Sequence, residues 1–413
     1  MHWHVNTFAS YNSLSAAKHR RKLVPANEIQ DRLNTAIELW KTGGPESFST
    51  VISSNHMEND PFEATYNFVE RNNTTEIWVA ACGKQLQLGV PMPLLEVKID
   101  KPWGNEIWFT GMESRGETQI KTPQGPLPLS KYLALAPLTI HGGQPIVLVK
   151  QLNPISKPLL GDLYLEAHRI KHEVYVVTNI DRSAWPSGRA KIRLGINQRL
   201  RSEYSEDQDF REDYLKAVDS YEAHTRHDIK TEASLRRAEE LRLNMNRFTQ
   251  LQTIVEGTVV DVPPLFPHSL PHGVQVIEFQ TPTYERMVIA ASQPVVTQEQ
   301  WDSSEAINKI HTGSIKVSKA PLTKKKIAPI SSPFGFQTWI VTLEPNEEIL
   351  FDPNLAYAIT FTLSGVVDVG GLIQQNHKAI FVPRPSLPLP LKNIGDHTAY
   401  CLVSGAPALT TTK

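Results

Sequence analysis

The sequence predicts a mainly β protein of two β modules, with a helical hairpin inserted in the first and an appended N-terminal region. Three observations carry this. Short runs rich in Val, Ile, Tyr and Trp recur from about residue 95 onward, as a pleated, half-buried surface favours. Between residues 201 and 251 the apolar positions switch to helical spacing, and strand texture then returns. The 413 residues hold 30 prolines and 22 glycines, which suits many short strands joined by rigid turns.

Residues 1–95 form the appended region, in which Ile29, Leu33, Ile37 and Trp40 make one helical stripe that Gly43, Gly44 and Pro45 terminate. No chemistry is assigned to the mixed stretch after it. Residues 96–200 and 252–310 make up the first β module, with runs such as NEIWFTG, PIVLVKQL, DLYLEAHRI and HEVYVVTNI. Alternation places Leu163, Leu165 and Ala167 on one face and Tyr164, Glu166 and His168 on the other. The inserted hairpin, 201–251, has one helix over about 207–225 and a second over about 229–251, where Leu235, Ala238, Leu241, Met245 and Phe248 repeat at helical spacing. TKKKIAPISSP has the lysines and prolines of a linker, and a second β module occupies 328–408.

Composition narrows the function classes. Forty-two basic side chains balance 43 acidic ones, which removes the strongest case for nucleic-acid or polybasic membrane partners. Two cysteines, Cys82 and Cys401, cannot build a disulfide framework or a thiolate zinc site and point to a reducing compartment. No apolar run has membrane-spanning length and the first residues lack the apolar core of a secretion signal, so a cytoplasmic location is expected.

The chemistry concentrates in the first module. Glu166 and His168, one residue apart on a strand, point the same way, and Glu173 is expected to return beside them on the adjacent strand. Imidazoles with carboxylates suit zinc, iron or manganese, although a solvent-face ion pair uses the same residues. Gly257, Pro263 and His268 then reproduce the spacing of the second cupin motif, with Leu265 where the usual turn glycine stands. Glu166, His168, Glu173 and His268 together occupy the four ligand positions of a cupin metal site. Trp103 and Trp108 read as core aromatics, and His172 and His272 as surface residues. His2 and His4 have metal-like spacing that a chain terminus produces by chance.

Over roughly residues 97–405 the sequence resembles the type I mannose-6-phosphate isomerases, two-cupin zinc enzymes. KPWGNEIW resembles the family's opening Trp-Gly and Gly-Glu-x-Trp, and GGQPIVLVKQLNP its segment leading into the metal strand. LYLEAHR stands at its Gln-x-His-Pro strand, with Glu166 for the glutamine, and IKHEVYVV at its Gly-Lys-Thr-Glu segment. VPPLFPHSLPHGVQVIEFQ resembles Val-Pro-x-Gly-x-x-His, and TYER resembles Thr-Tyr-Arg with one extra residue. The resemblance implies a double cupin with a metal-free second module, in which His377 and His397 stand apart. It implies zinc held by Glu166, His168, Glu173 and His268, with Arg286, Lys171 and Glu278 as catalytic residues and a sugar phosphate as small-molecule partner. The implied reaction interconverts mannose 6-phosphate and fructose 6-phosphate. The extra carboxylate at Glu166 would neutralise a divalent ion and opens manganese or iron as alternatives. A long insertion before the metal glutamate and an Asn-Ser-Asp stretch before the arginine are missing. Two other readings stay open: a non-catalytic sugar-binding or regulatory cupin, and an iron-dependent cupin oxygenase.

Overall fold

The computed structural model describes residues 23–53, 61–113, 115–156, 163–226, 231–283, 285–291, 300–319, 326–331, 333 and 335–409. His2 and His4 lie outside these residues. No described helix is long and apolar enough to cross a membrane.

The protein is mainly β. Its first module pairs a seven-stranded sheet with a five-stranded one. The larger runs in the spatial order Ser318–Lys319, Thr258–Val262, Glu173–Ile180, Val274–Gln280, Leu148–Pro154, Gly104–Trp108, Val97–Lys101. The smaller runs Thr249–Ile254, Ala190–Ile196, His268–Ser269, Tyr164–Ala167, Met287–Ala291. Alternation decides what each face buries. Tyr175, Val177 and Val276 turn inward to a core shared with Ile192 and Leu194 of the smaller sheet. Val174, Val176, Ile277 and Phe279 turn outward and pack against Phe361 and Phe381 of the second module.

The second module joins an eight-stranded sheet to a four-stranded one around Val341, Ala358, Val382, Leu391 and Val403. Its eight-stranded sheet includes Ile327–Ser331, paired with Gln337–Leu343. IAPIS is therefore a strand and not the linker that its prolines suggest; pairing with a neighbour overrides local propensity. Met92–Leu95, at the end of the expected N-terminal region, pairs with Ala379–Pro383 of this same sheet. Cys401 is buried in it.

Ahead of the two modules, Ala26–Lys41 forms the expected helix, with Ile29 and Leu33 fully buried and Ile37 and Trp40 packed against the same core. The helix leads into a sheet in which Phe62, Ala64, Tyr66 and Phe68 alternate inward. Its period of two was legible in the sequence. Two short helices, Leu129–Leu135 and Pro137–His141, are additions to the sequence reading.

The inserted hairpin comprises Asp207–Thr225 and Glu232–Asn246. Its second helix is shorter than the periodicity implies, because Thr249–Ile254 leaves it to pair with Ala190–Ile196. Leu235, counted with the buried stripe, is 41% exposed. The hairpin packs Phe210, Tyr214 and Phe248 against Leu165, Ala167, Met287 and Ile289, the back of the five-stranded sheet. Phe248 is fully buried, stacked on Tyr214 at 5.0 Å and edge-on to Phe210 at 5.4 Å. Phe248→Ala should cost about 3–5 kcal/mol in urea unfolding, the usual loss for a buried aromatic ring.

Candidate metal centre

The two sheets of the first module enclose a cavity of about 280 Å³. Glu166 and His268 are direct cross-strand partners on the five-stranded sheet. His168 follows the Glu166 strand by one residue, and Leu265 ties it in place by donating its backbone N–H to the His168 carbonyl at 2.7 Å. Leu265 has φ +65°, the left-handed region that favours glycine, so the motif turn keeps its backbone shape without its usual residue. Such a φ costs a branched side chain roughly 1–2 kcal/mol. Contacts with the hairpin core help to hold it.

Glu173 does not arrive on the adjacent strand, as the sequence suggested. It opens a strand of the opposite, seven-stranded sheet and faces the histidines across the interior. Its Oε1 lies 3.2 Å from His168 Nε2 and its Oε2 3.2 Å from His268 Nε2. His268 Nε2 is 3.9 Å from Glu166. Two donors bound to one zinc ion at ordinary lengths and angles sit about 3–3.5 Å apart. Among the described residues, Glu166, His168 and His268 each offer a donor atom within 4.8 Å of the other two.

The donor chemistry fits a cation as well. His268 Nδ1 donates to the Phe266 carbonyl at 3.0 Å, which leaves the Nε2 lone pair directed inward. Both histidines are 1% exposed; each Nε2 has a Glu173 oxygen at 3.2 Å, and Glu166 Oε2 has no hydrogen-bond partner among the described residues. A buried acceptor without a donor is costly, and an ion shared by these groups would offset that cost.

Electrostatics sharpen the site. Burial alone would raise the Glu173 carboxyl, but the Lys171 ammonium and the two imidazoles hold it well below the usual carboxylate range. Lys171 Nζ is 2.6 Å from Glu173, and the Tyr175 hydroxyl donates to the other carboxylate oxygen. Burial, then Lys171, pushes the His168 imidazole down. Burial opposes protonation of His268 too, but Glu173 and Glu166 outweigh it and raise that imidazole.

Glu278 is 3% exposed, and burial pushes its carboxyl up to about 8 against the pull of Lys150, 3.6 Å away. Tyr175, Glu278, Lys150 and Trp108 form one row across the seven-stranded sheet, each opposite the next. Arg286 pairs with neither Glu278 nor Glu285 in the ion pairs of the described residues. It lies instead 3.9 Å from Glu166 and stacks over the Tyr164 ring at 4.8 Å. Glu285 accepts the backbone N–H groups of Arg169, Ile170 and Lys171. The neutralisation expected from Glu166 is thus opposed, because Arg286 and Lys171 each stand beside one of the carboxylates.

Sequence reasoning missed Lys150 and Glu106, and placed Tyr164 on the Glu166 face without giving it a role. Lys150 carried a signal, a lone charge inside the apolar run IVLVKQL. Of the aromatics, Trp108 is core and donates its indole N–H to Glu106 at 2.6 Å, whereas Trp103 is buried but also lines the cavity. Gly104, between them, has φ +145°, and a Cβ there would sit 2.1 Å from the Asn153 carbonyl oxygen. His172 bonds Asp261, and His272 stacks on Trp185 at 5.4 Å, both away from the cavity. Leu163 turns into the cavity, apart from Leu165 and Ala167, which pack against the hairpin.

No protein-family model matches the chain, and a search of curated proteins found no match. Solved structures do match. A mannose 6-phosphate isomerase from Bacillus subtilis superposes with a TM-score of 0.56 at 13% identity, covering 76% of this chain and 99% of that one. A phosphomannose isomerase variant from Salmonella typhimurium gives 0.59 at 11% identity, covering 78% of this chain and all of its own. A zinc-bound mannose 6-phosphate isomerase gives 0.58 at 11%, covering 77% and 99%. The fold is that of the mannose-6-phosphate isomerases. At such identities the likeness speaks for architecture, and chemistry must be argued from the side chains.

Lys171→Met tests the division of labour within this isomerase fold. The ammonium contacts Glu173 and, while protonated, has no lone pair to give a cation, so metal content should hold while any turnover falls. Loss of zinc would give Lys171 a structural role.

Proposed function

We propose that the cavity is the active site of a metal-dependent aldose–ketose isomerase. Glu166, His168, Glu173 and His268 would hold the ion, with zinc the first candidate from the donor set and manganese or iron the alternatives. Such an ion supplies polarisation of the carbonyl and hydroxyl oxygens and stabilises enediolate charge. The observation that carries the reading is a buried carboxyl, Glu278, inside the same cavity as the converging donors. A carboxyl with its pKa pushed up to about 8 suits proton transfer near neutral pH.

In this reading Glu278 takes the proton from C2 of the aldose and returns it to C1 through a cis-enediol. Lys150, at 3.6 Å, favours the ionised, proton-accepting form of Glu278. Lys171 fixes Glu173, and Arg286 supplies positive charge beside Glu166. The named structures offer mannose 6-phosphate and fructose 6-phosphate as the first pair to assay.

The test combines metal analysis of freshly purified protein with an anaerobic isomerisation assay. Bound zinc with turnover supports the proposal. Metal without turnover would favour a sugar-binding protein, and oxygen consumption an iron-dependent oxygenase.

A further inference from the structure

Glu166 stands between two parts of the site. Its strand, Tyr164–Ala167, lies between His268–Ser269 on one side and Met287–Ala291 on the other, and Arg286 immediately precedes the latter. The two carboxylate oxygens divide accordingly. Oε1 is 3.9 Å from His268 Nε2, on the side of the metal donors, and Oε2 is 3.9 Å from the Arg286 guanidinium. Alternation puts Tyr164 on the same face, where its ring carries that guanidinium at 4.8 Å. Glu166, Tyr164 and Arg286 all line the cavity. The Glu166 and Arg286 side chains are each 18% exposed, within reach of a ligand there.

A carboxylate shared in this way links whatever binds on its two sides. With no ion on the donors, the full negative charge of Glu166 faces Arg286 and offsets the pull of the guanidinium on an anion. Unit charges this close attract strongly in a partly buried site. A divalent ion on Glu166, His168, Glu173 and His268 takes up that negative charge and adds its own positive field. The planar fork of guanidinium donors is then set to hold an oxyanion. A glutamine in place of Glu166 would offer a ligand oxygen but no charge to pass on.

We infer that Glu166 couples the metal centre to an oxyanion site at Arg286, so that a divalent ion and a phosphate-type dianion bind with positive cooperativity. The inference rests on the metal centre of the isomerase reading and adds regulation to it: the metal-loaded protein is the form that holds an anionic ligand well. Linkage makes the effect reciprocal, and a bound anion tightens the ion by the same factor.

The experiment titrates sulfate calorimetrically into the full chain, metal-free and zinc-loaded, at constant ionic strength. Sulfate is the probe because it is a tetrahedral dianion that leaves zinc in solution. Zinc should lower the sulfate Kd at least about fivefold, the lower end of the roughly 5- to 150-fold usual for coupled sites. Chelator competition with sulfate present should show zinc tightened by the same factor. Equal or weaker sulfate binding by the zinc form, or no sulfate binding by either form, overturns the inference. Two variants separate transmission through Glu166 from direct attraction between ion and anion. Glu166→Gln should tighten sulfate about fivefold in the metal-free chain and shrink the coupling by a similar factor. Undiminished coupling would mean that the ion acts directly and Glu166 transmits nothing. Arg286→Met should remove most of the coupling, and its retention would place the anion elsewhere. Zinc bound without coupling defeats this inference alone; a chain that binds no zinc defeats the metal reading and the coupling with it.

Discussion

Replacing His268 with alanine should lower zinc affinity by more than about 100-fold, beyond the roughly 10–100-fold that loss of a residue merely supporting a ligand costs. The imidazole is 1% exposed, its Nδ1 is fixed by Phe266, and its Nε2 points into the cavity, 3.2 Å from the Glu173 carboxylate. Its removal therefore deletes a donor and few other interactions. Turnover should disappear with the metal, while unfolding of the metal-free variant should stay close to that of the parent. Elemental analysis after dialysis against a weak chelator reads the outcome. Full zinc retention would place the ion elsewhere and remove the basis for the proposed chemistry.

Glu278→Gln should lower turnover by about 100- to 10,000-fold, the usual contribution of a positioned general base, and leave zinc bound. Its carboxyl is raised to about 8 chiefly by burial. At pH 7 only about a tenth would be ionised, so kcat/KM of the parent should climb roughly tenfold between pH 7 and a plateau above about 9. The glutamine variant should lack that limb, and its persistence would assign the base to another group. Stability moves the other way. Because the folded-state pKa is raised, the native state binds the extra proton between about pH 4.5 and 8, so this group's contribution falls as pH rises through that window. Thermal unfolding of the metal-free parent should show this slope, and Glu278→Gln should flatten it.

Much of this architecture could be read along the chain. The two β modules and the inserted hairpin appear where periodicity changes, and the ligand candidates Glu166, His168, Glu173 and His268 do converge. The errors share a cause. Ile327–Ser331 looked like a linker because its prolines and the lysines before it dominate local propensity, yet Gln337–Leu343 provides a paired edge for it. Thr249–Leu251 continued a helical stripe until Ala190–Ile196 claimed it as a strand. In both, a distant segment decided the outcome.

The division at the site has the same origin. Alternation along each strand settles which side chains share a face, and so put Glu166 beside His168 from local geometry alone. Which face meets which is a matter of how two sheets pack, and that depends on residues far apart in the chain. Only the folded molecule could set Glu173 opposite the histidines, pair Arg286 with Glu166, and bury Glu278 against Lys150. Those are the contacts that tune charge, because electrostatic energy depends on distance and desolvation in space, neither of which local spacing contains.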